Sequence, residues 1–123
     1  MIPRAICLAL AGLAAMSSLA IAAEPFWLSE PGLCKADHGM IEEKDAIYLT
    51  GTGINSHFFS CQWPASAGEG LFKGEQFIRI KAKCSNATSS WQAAFEIVRQ
   101  QDGSLQVFQE SGGLSPVRFF RCN

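Results

Sequence analysis

Two short motifs in this 123-residue chain contain the residue types that most often bind metals. Three residues separate Cys34 from His38, and His57 and Cys61 repeat this spacing in the opposite order. Two thiolates and two imidazoles form a legitimate tetrahedral zinc set, and Met40 adds a soft sulfur donor that suits Cu(I). The tight C-x2-C spacing of zinc sites is missing, and residues four apart on an extended strand are widely separated. A metal site at His38 and His57 is therefore an alternative interpretation.

The cysteines of these motifs belong to an even set, which favours disulfide bonds. Cys34, Cys61, Cys84 and Cys122 are spread along the chain that follows an apolar leader. Even sets of this kind in short exported domains are usually oxidised in pairs. Four cysteines permit three pairings, and we favour the sequential one, Cys34–Cys61 with Cys84–Cys122, because each loop then encloses one or two candidate hairpins.

The first residues have the features of an export signal. Arg4 supplies a positive charge, an apolar stretch follows, and Ala20-Ile21-Ala22 places small residues at both key positions for cleavage. We predict a secretory signal peptide at 1–22 and a single domain at 23–123, with cleavage before Glu24 nearly as suitable. Because no second apolar segment is long enough to span a bilayer, we predict no membrane span after cleavage. The leader and the even cysteine set together predict a periplasmic or extracellular location.

Alternating apolar and polar residues predict an all-β fold. From Gln76 to Cys84 and from Trp91 to Gln100, apolar side chains recur at every second position, and Asp102-Gly103 is a strong hairpin turn. We predict a small antiparallel meander of about seven short strands that closes as a barrel or sandwich and is held by two disulfides. The other candidate strands are 25–29, 46–51, 56–63, 105–110 and 117–122; Ser111–Pro116 is predicted as a turn and Pro64–Gly74 as a loop.

The charges point away from nucleic acid and towards one basic face. Without the leader, nine Lys and Arg face eleven Asp and Glu, whereas nucleic-acid-binding domains are usually clearly basic. Alternation places Arg79, Lys81 and Lys83 on one strand face with Phe77 in line. We predict that these four residues contact a protein or an anionic polysaccharide, and lipid headgroups are a third possible partner. A solvated or charge-protected strand is the alternative.

No catalytic arrangement emerges from the sequence. Ser56 precedes His57, but neighbours on a strand point to opposite faces, so they do not form a nucleophile–base dyad. Neither a G-x-S-x-G elbow nor a phosphate-binding loop is present in the sequence. Two histidines can act as acid and base in RNA cleavage, but their spacing does not select that chemistry. We predict a non-catalytic protein without a cofactor, with His57 as a half-buried strand residue.

Thirteen aromatic residues are enough to fill a small core and leave some outside it. Phe58 and Phe72 fall outside the predicted core positions and are candidates for an exposed patch. Exposed rings indicate a binding site only where they cluster. Whether these two do so depends on the fold.

Two functions remain open from the sequence. The first is an exported, disulfide-stabilised module that binds or inhibits another macromolecule. The second is a metal-binding or small-molecule-binding protein that uses the barrel mouth or the His/Cys set. The expected scaffold is similar in size to exported bacterial lysozyme inhibitors, but the Arg-Tyr of a Ser-Gly-x-Arg-Tyr segment does not follow Ser111-Gly112-Gly113. Because scaffold alone does not fix function, we assign no family.

Overall fold

A computed structural model of the chain describes residues 24–110 and 116–122. The predicted leader and most of the predicted turn Ser111–Pro116 lie outside these residues. Within the described part, no helix is long and apolar enough to cross a membrane.

Eight antiparallel strands form a closed barrel in which each strand pairs with its neighbours in sequence. The first strand also pairs with the last, with Phe26 opposite Cys122, and this pairing closes the barrel. The predicted barrel-or-sandwich of about seven strands is therefore a barrel of eight. The strands are Phe26–Leu28 (β1), Tyr48–Thr50 (β2), Gly53–Asn55 (β3), Ser60–Gln62 (β4), Phe77–Ser85 (β5), Ser90–Arg99 (β6), Leu105–Gln109 (β7) and Val117–Cys122 (β8).

The two longest strands, β5 and β6, follow the predicted alternation and form the main wall of the core. Every second residue of β5 is buried, from Ile78 to Cys84, and Ala93, Phe95 and Ile97 of β6 are buried as well. The two strands pair over nine positions, from Phe77 with Val98 to Ser85 with Ser90. Because alternate side chains point to opposite faces of a strand, this wall has one apolar inner face and one polar outer face.

The first half of the barrel is less regular than its sequence suggests. The predicted strand 56–63 is shorter, and the additional strand β3 precedes it. Gly53 starts β3 because a side chain there would collide with the carbonyl oxygen of Cys61 on β4. The chain turns at residues 56–59 between these two strands. His57 consequently lies in an exposed turn, and the predicted half-buried strand position is wrong.

Two short helices cover the barrel, and the second replaces part of the predicted loop Pro64–Gly74. The helix His38–Glu43 (α1) buries Ile41 in a small cluster with Leu28 and Cys122. A 3₁₀ turn at Ala65–Gly68 leads into the helix Glu69–Lys73 (α2), which buries Leu71 in the main core.

Gly68 allows the segment of the 3₁₀ turn and α2 to approach the barrel closely. An added Cβ at Gly68 would collide with the carbonyl oxygen of Gly51. The same oxygen accepts a 2.8 Å hydrogen bond from Nε1 of Trp63. Gly51 and Trp63 thereby fix the segment against the barrel end.

The disulfides connect Cys34 with Cys122 and Cys61 with Cys84, so the favoured sequential pairing is wrong. Cys61 and Cys84 are opposite each other in the β4–β5 ladder, with Cα atoms 4.0 Å apart, and both side chains are buried. The pairing of β1 with β8 brings the residues after β1 beside the last strand. Cys34 can therefore reach Cys122, with a Cα–Cα distance of 5.3 Å.

Candidate functional site

The predicted basic stripe lies where alternation placed it, on the outer face of β5. Phe77, Arg79, Lys81 and Lys83 are all exposed. The register of the barrel determines which residues flank them on the neighbouring strands β4 and β6. Their positions are therefore confirmed, and their role in binding remains a prediction.

Arg79 is paired within the barrel wall. Its Nη2 donates a 2.9 Å hydrogen bond to Oε2 of Glu110, and its Nε lies 2.6 Å from Oε1. This hydrogen bonding lowers the pKa of the Glu110 carboxyl, and the charge of Lys81 acts in the same direction. Glu96 is opposite Arg79 in the β5–β6 ladder. The Phe77 end of the stripe therefore contains carboxylates as well as cations.

Lys83 lies in a different environment, between two amide side chains. Gln62 on β4 and Gln92 on β6 are its register partners on either side. We call these three residues the amide–lysine row. Among the described residues, Arg79 and Lys73 form ion pairs, whereas Lys81 and Lys83 form none. The ammonium groups of these two lysines are therefore available to an external carboxylate.

Two adjoining grooves meet at the amide–lysine row. A groove of about 430 Å³ extends from it towards Ser60, Ser85 and Ser90, which form the next register row. A groove of about 480 Å³ extends in the other direction, along Lys81 and Pro64. All three residues of the amide–lysine row line both grooves. Polar hydrogen-bonding groups therefore follow one continuous surface across β4, β5 and β6.

The first groove adjoins an apolar cavity at the end of the barrel, and Trp91 lines both. This cavity measures about 320 Å³; Phe59, Phe95 and the Cys61–Cys84 disulfide contribute to its lining. Phe58 and Trp91, which are 67% and 36% exposed, also line it. We call the cavity, with its four rings, the aromatic mouth. Exposed rings that share one cavity are typical of binding sites.

Side-chain hydrogen bonds order the two loops beside the aromatic mouth. In the β3–β4 turn, the Ser56 hydroxyl accepts hydrogen bonds from the amides of Phe58 and Phe59, at 3.1 and 3.2 Å. In the β5–β6 turn, Oδ1 of Asn86 accepts 2.9 Å hydrogen bonds from the amides of Thr88 and Ser89. Such side-chain turns fix a loop locally. The Ser56 hydroxyl oxygen is therefore used as an acceptor within the turn.

His57 packs against Phe58. Their ring centroids are 5.2 Å apart with an interplanar angle of 81°, an edge-to-face contact. The two exposed phenylalanines noted in the sequence therefore differ. Phe58 belongs to the aromatic mouth, whereas Phe72 on α2 packs against Trp27 at 6.1 Å.

The predicted metal set does not assemble in the described structure. Cys34 and Cys61 are both in disulfides, so neither provides a thiolate. Among residues 24–110 and 116–122, no group of three or more His, Cys, Asp and Glu side chains is placed to hold a metal ion. His38 begins α1, and the position of its side chain is not described. Metal binding at the two histidines stays a prediction.

Sequence reasoning found the lysines of this site and missed the groups around them. Alternation alone identifies the outer face of β5, but Gln62 and Gln92 join Lys83 only through the register of three strands. Alternation in β6 predicts that Trp91 points to the core face, and Trp91 is indeed opposite the buried Cys84 in the ladder. Its position at the very start of β6 leaves its ring at the open end of the barrel. This strand-end position is the signal that could have identified it.

Comparison of the chain with protein-family models, curated proteins and solved structures finds no match.

Proposed function

We propose that this chain is an exported, non-catalytic module that binds another macromolecule through the aromatic mouth and the adjoining amide–lysine row. One observation carries the proposal. Phe58 and Trp91, two exposed aromatic side chains, share a cavity that continues into a polar groove with Lys83, a cation that forms no salt bridge within the described part of the chain. An apolar anchor site beside hydrogen-bonding groups is the usual anatomy of a macromolecular interface.

The rigidity of the scaffold supports this proposal. Disulfides connect β4 with β5 and the segment after β1 with β8. The turns that carry Phe58 and Asn86 are held by side-chain hydrogen bonds. A surface that is ordered before binding loses less conformational entropy when a partner docks.

Export is supported by the leader and by the oxidised cysteines. Disulfides persist in oxidising compartments and are rare in the cytosol. N-terminal sequencing of the protein recovered from the cell envelope or the medium tests this part of the proposal. We expect the mature chain to begin at Ala23 or Glu24. Recovery of the intact leader on a cytosolic protein would refute export.

Site-specific photo-crosslinking in the cells that produce the protein tests binding. A benzophenone amino acid replaces Phe58 in one variant and Phe72, which is also a partly exposed phenylalanine, in a matched control. We expect a discrete adduct from position 58 and none from position 72. The adduct should weaken when Lys83→Glu is added.

Two results would contradict the proposal. The first is the absence of an adduct at position 58 under conditions in which the variant is folded and exported. The second is an equal pattern of adducts at positions 58 and 72, because that pattern indicates nonspecific contact.

A further inference from the structure

We infer that the docking element of the partner is an acidic protein segment that inserts one large apolar side chain into the aromatic mouth and places carboxylates at Lys83 and Lys81. This inference rests on the proposed function and names the chemistry of the partner. The aromatic mouth indicates the apolar side chain, the two lysines of β5 indicate the carboxylates, and the amide–lysine row contacts the main chain of the segment.

The aromatic mouth favours an apolar side chain over a sugar. Its volume of about 320 Å³ is lined mainly by four rings and the Cys61–Cys84 disulfide, with the side chains of Asn86 and Gln109 as its polar members, and Phe95 in its lining is fully buried. Large apolar side chains in such pockets supply most of the affinity of protein interfaces. Phe58, at 67% exposure, can cover an inserted side chain and become buried with it.

The charge pattern of β5 favours a short acidic segment over a polyanion. Within residues 24–110 and 116–122, Lys83 and Lys81 form no salt bridge, although the charge of Lys81 acts on Glu110; the next cation, Arg79, is held by Glu110 and is opposite Glu96 in the ladder. A long polyanion would therefore meet carboxylates after two lysines. One or two carboxylates match the available charge.

The spacing of the two lysines matches an extended peptide. Alternate residues of a strand are about 6.8 Å apart, and Lys81 and Lys83 occupy alternate positions on β5. A partner segment in extended conformation presents its own alternate side chains at the same interval. Acidic residues two positions apart can therefore face both lysines.

The amide–lysine row supplies hydrogen bonds for the main chain of that segment. Gln62 and Gln92 each carry two N–H donors and one carbonyl acceptor. Both are exposed and line both grooves. Since β4, β5 and β6 each have a strand on both sides, added-strand pairing with a partner is not available here.

Selection from a random peptide library on the oxidised mature protein tests the inference. The library contains linear and cysteine-closed peptides, so that extended and loop-shaped segments are both represented. We expect enriched peptides to carry one large apolar residue and acidic residues at alternate positions. Their affinity should fall as the salt concentration rises, because exposed charges are screened.

Matched variants then locate the contacts. We expect Phe58→Ala to weaken the selected peptides about 30-fold, as at an interface hot spot, and Lys83→Glu to weaken them at least about tenfold. Lys73→Glu changes an exposed lysine on α2 by the same charge and should leave the affinity unchanged. Thermal melts confirm that each variant is folded.

Three results would overturn the inference. Enrichment of peptides without acidic residues is one, and equal affinity for wild type and Lys83→Glu is another. The third is a selection that enriches no peptide. In that case, Lys83-dependent binding of polygalacturonate would indicate an anionic polysaccharide as the partner, and failure of polygalacturonate to bind as well would leave both partner classes without support. An adduct from the position-58 crosslinker shows, in each of these cases, that the proposed function stands while the partner chemistry is wrong.

Discussion

Removing each disulfide in turn should destabilise the protein by amounts that follow the length of chain it closes. The Cys61–Cys84 bond spans 23 positions and the Cys34–Cys122 bond spans 88. A cross-link restricts the unfolded chain, and the loop-closure relation gives about 3.4 kcal/mol for the shorter loop and about 4.6 kcal/mol for the longer one. The double alanine variant Cys34→Ala/Cys122→Ala should therefore lose about 1 kcal/mol more stability than Cys61→Ala/Cys84→Ala.

Urea unfolding of the two double variants measures this difference. The comparison requires a single cooperative transition in each variant. Peptide mapping without reduction, carried out on the wild type, should first recover Cys61 linked to Cys84. A larger loss for the Cys61/Cys84 variant would refute the loop-length argument and show that packing around this buried bond dominates its contribution.

Two further changes test the packing and the electrostatics of the barrel. Gly68→Ala should lower the free energy of unfolding in urea by about 1–3 kcal/mol, because the added Cβ collides with the carbonyl oxygen of Gly51. Gly32→Ala is the control: a Cβ added at Gly32 has no atom within 4 Å, so the free energy of unfolding should change by less than about 0.5 kcal/mol. NMR titration should give Glu110 a pKa below the ordinary glutamate value, and Arg79→Ala should raise that pKa, because the lowering comes first from the Arg79 hydrogen bond. The stabilisation from the Arg79–Glu110 pair is then fully present above the ordinary pKa of glutamate and is lost as the pH falls through the lowered pKa of Glu110. An unchanged Glu110 pKa in Arg79→Ala would show that the Arg79 hydrogen bond does not cause the lowering.

The regular half of the barrel could be predicted from sequence because its signals are local. Alternation in β5 and β6 fixes which side chains point inward, and the turn at Asp102-Gly103 joins β6 to β7. Gly103 has a positive φ of 87°, and Ser104 donates hydrogen bonds to the Asp102 carboxylate at 2.6 and 2.9 Å. These interactions lie within a few residues of one another.

The irregular half depends on contacts that are distant in sequence. The strand β3 has three residues, too few for a periodic pattern, and it begins with Gly53. The disulfide pairing follows from the β4–β5 register and from the contact of β1 with β8. Sequence alternation does not encode either of these relationships.

The candidate site has the same division between local and distant signals. Lys83 is identified by alternation alone, whereas Gln62 and Gln92 join it only after three strands are aligned. Phe58 was recognised as an outlier from the core. Its association with Trp91 requires the β3–β4 and β5–β6 turns to meet at one end of the barrel.

Closure of the barrel affects which substitutions the protein can accept during evolution. The hydrogen-bonding edges of all eight strands are used by neighbouring strands. A substitution at Gln62, Lys83 or Gln92 changes only an outward side chain, and the ladder beneath it keeps its backbone partners. If these residues bind a partner, as proposed, their side chains can be exchanged and binding preference altered while the closed barrel is kept, with little loss of stability.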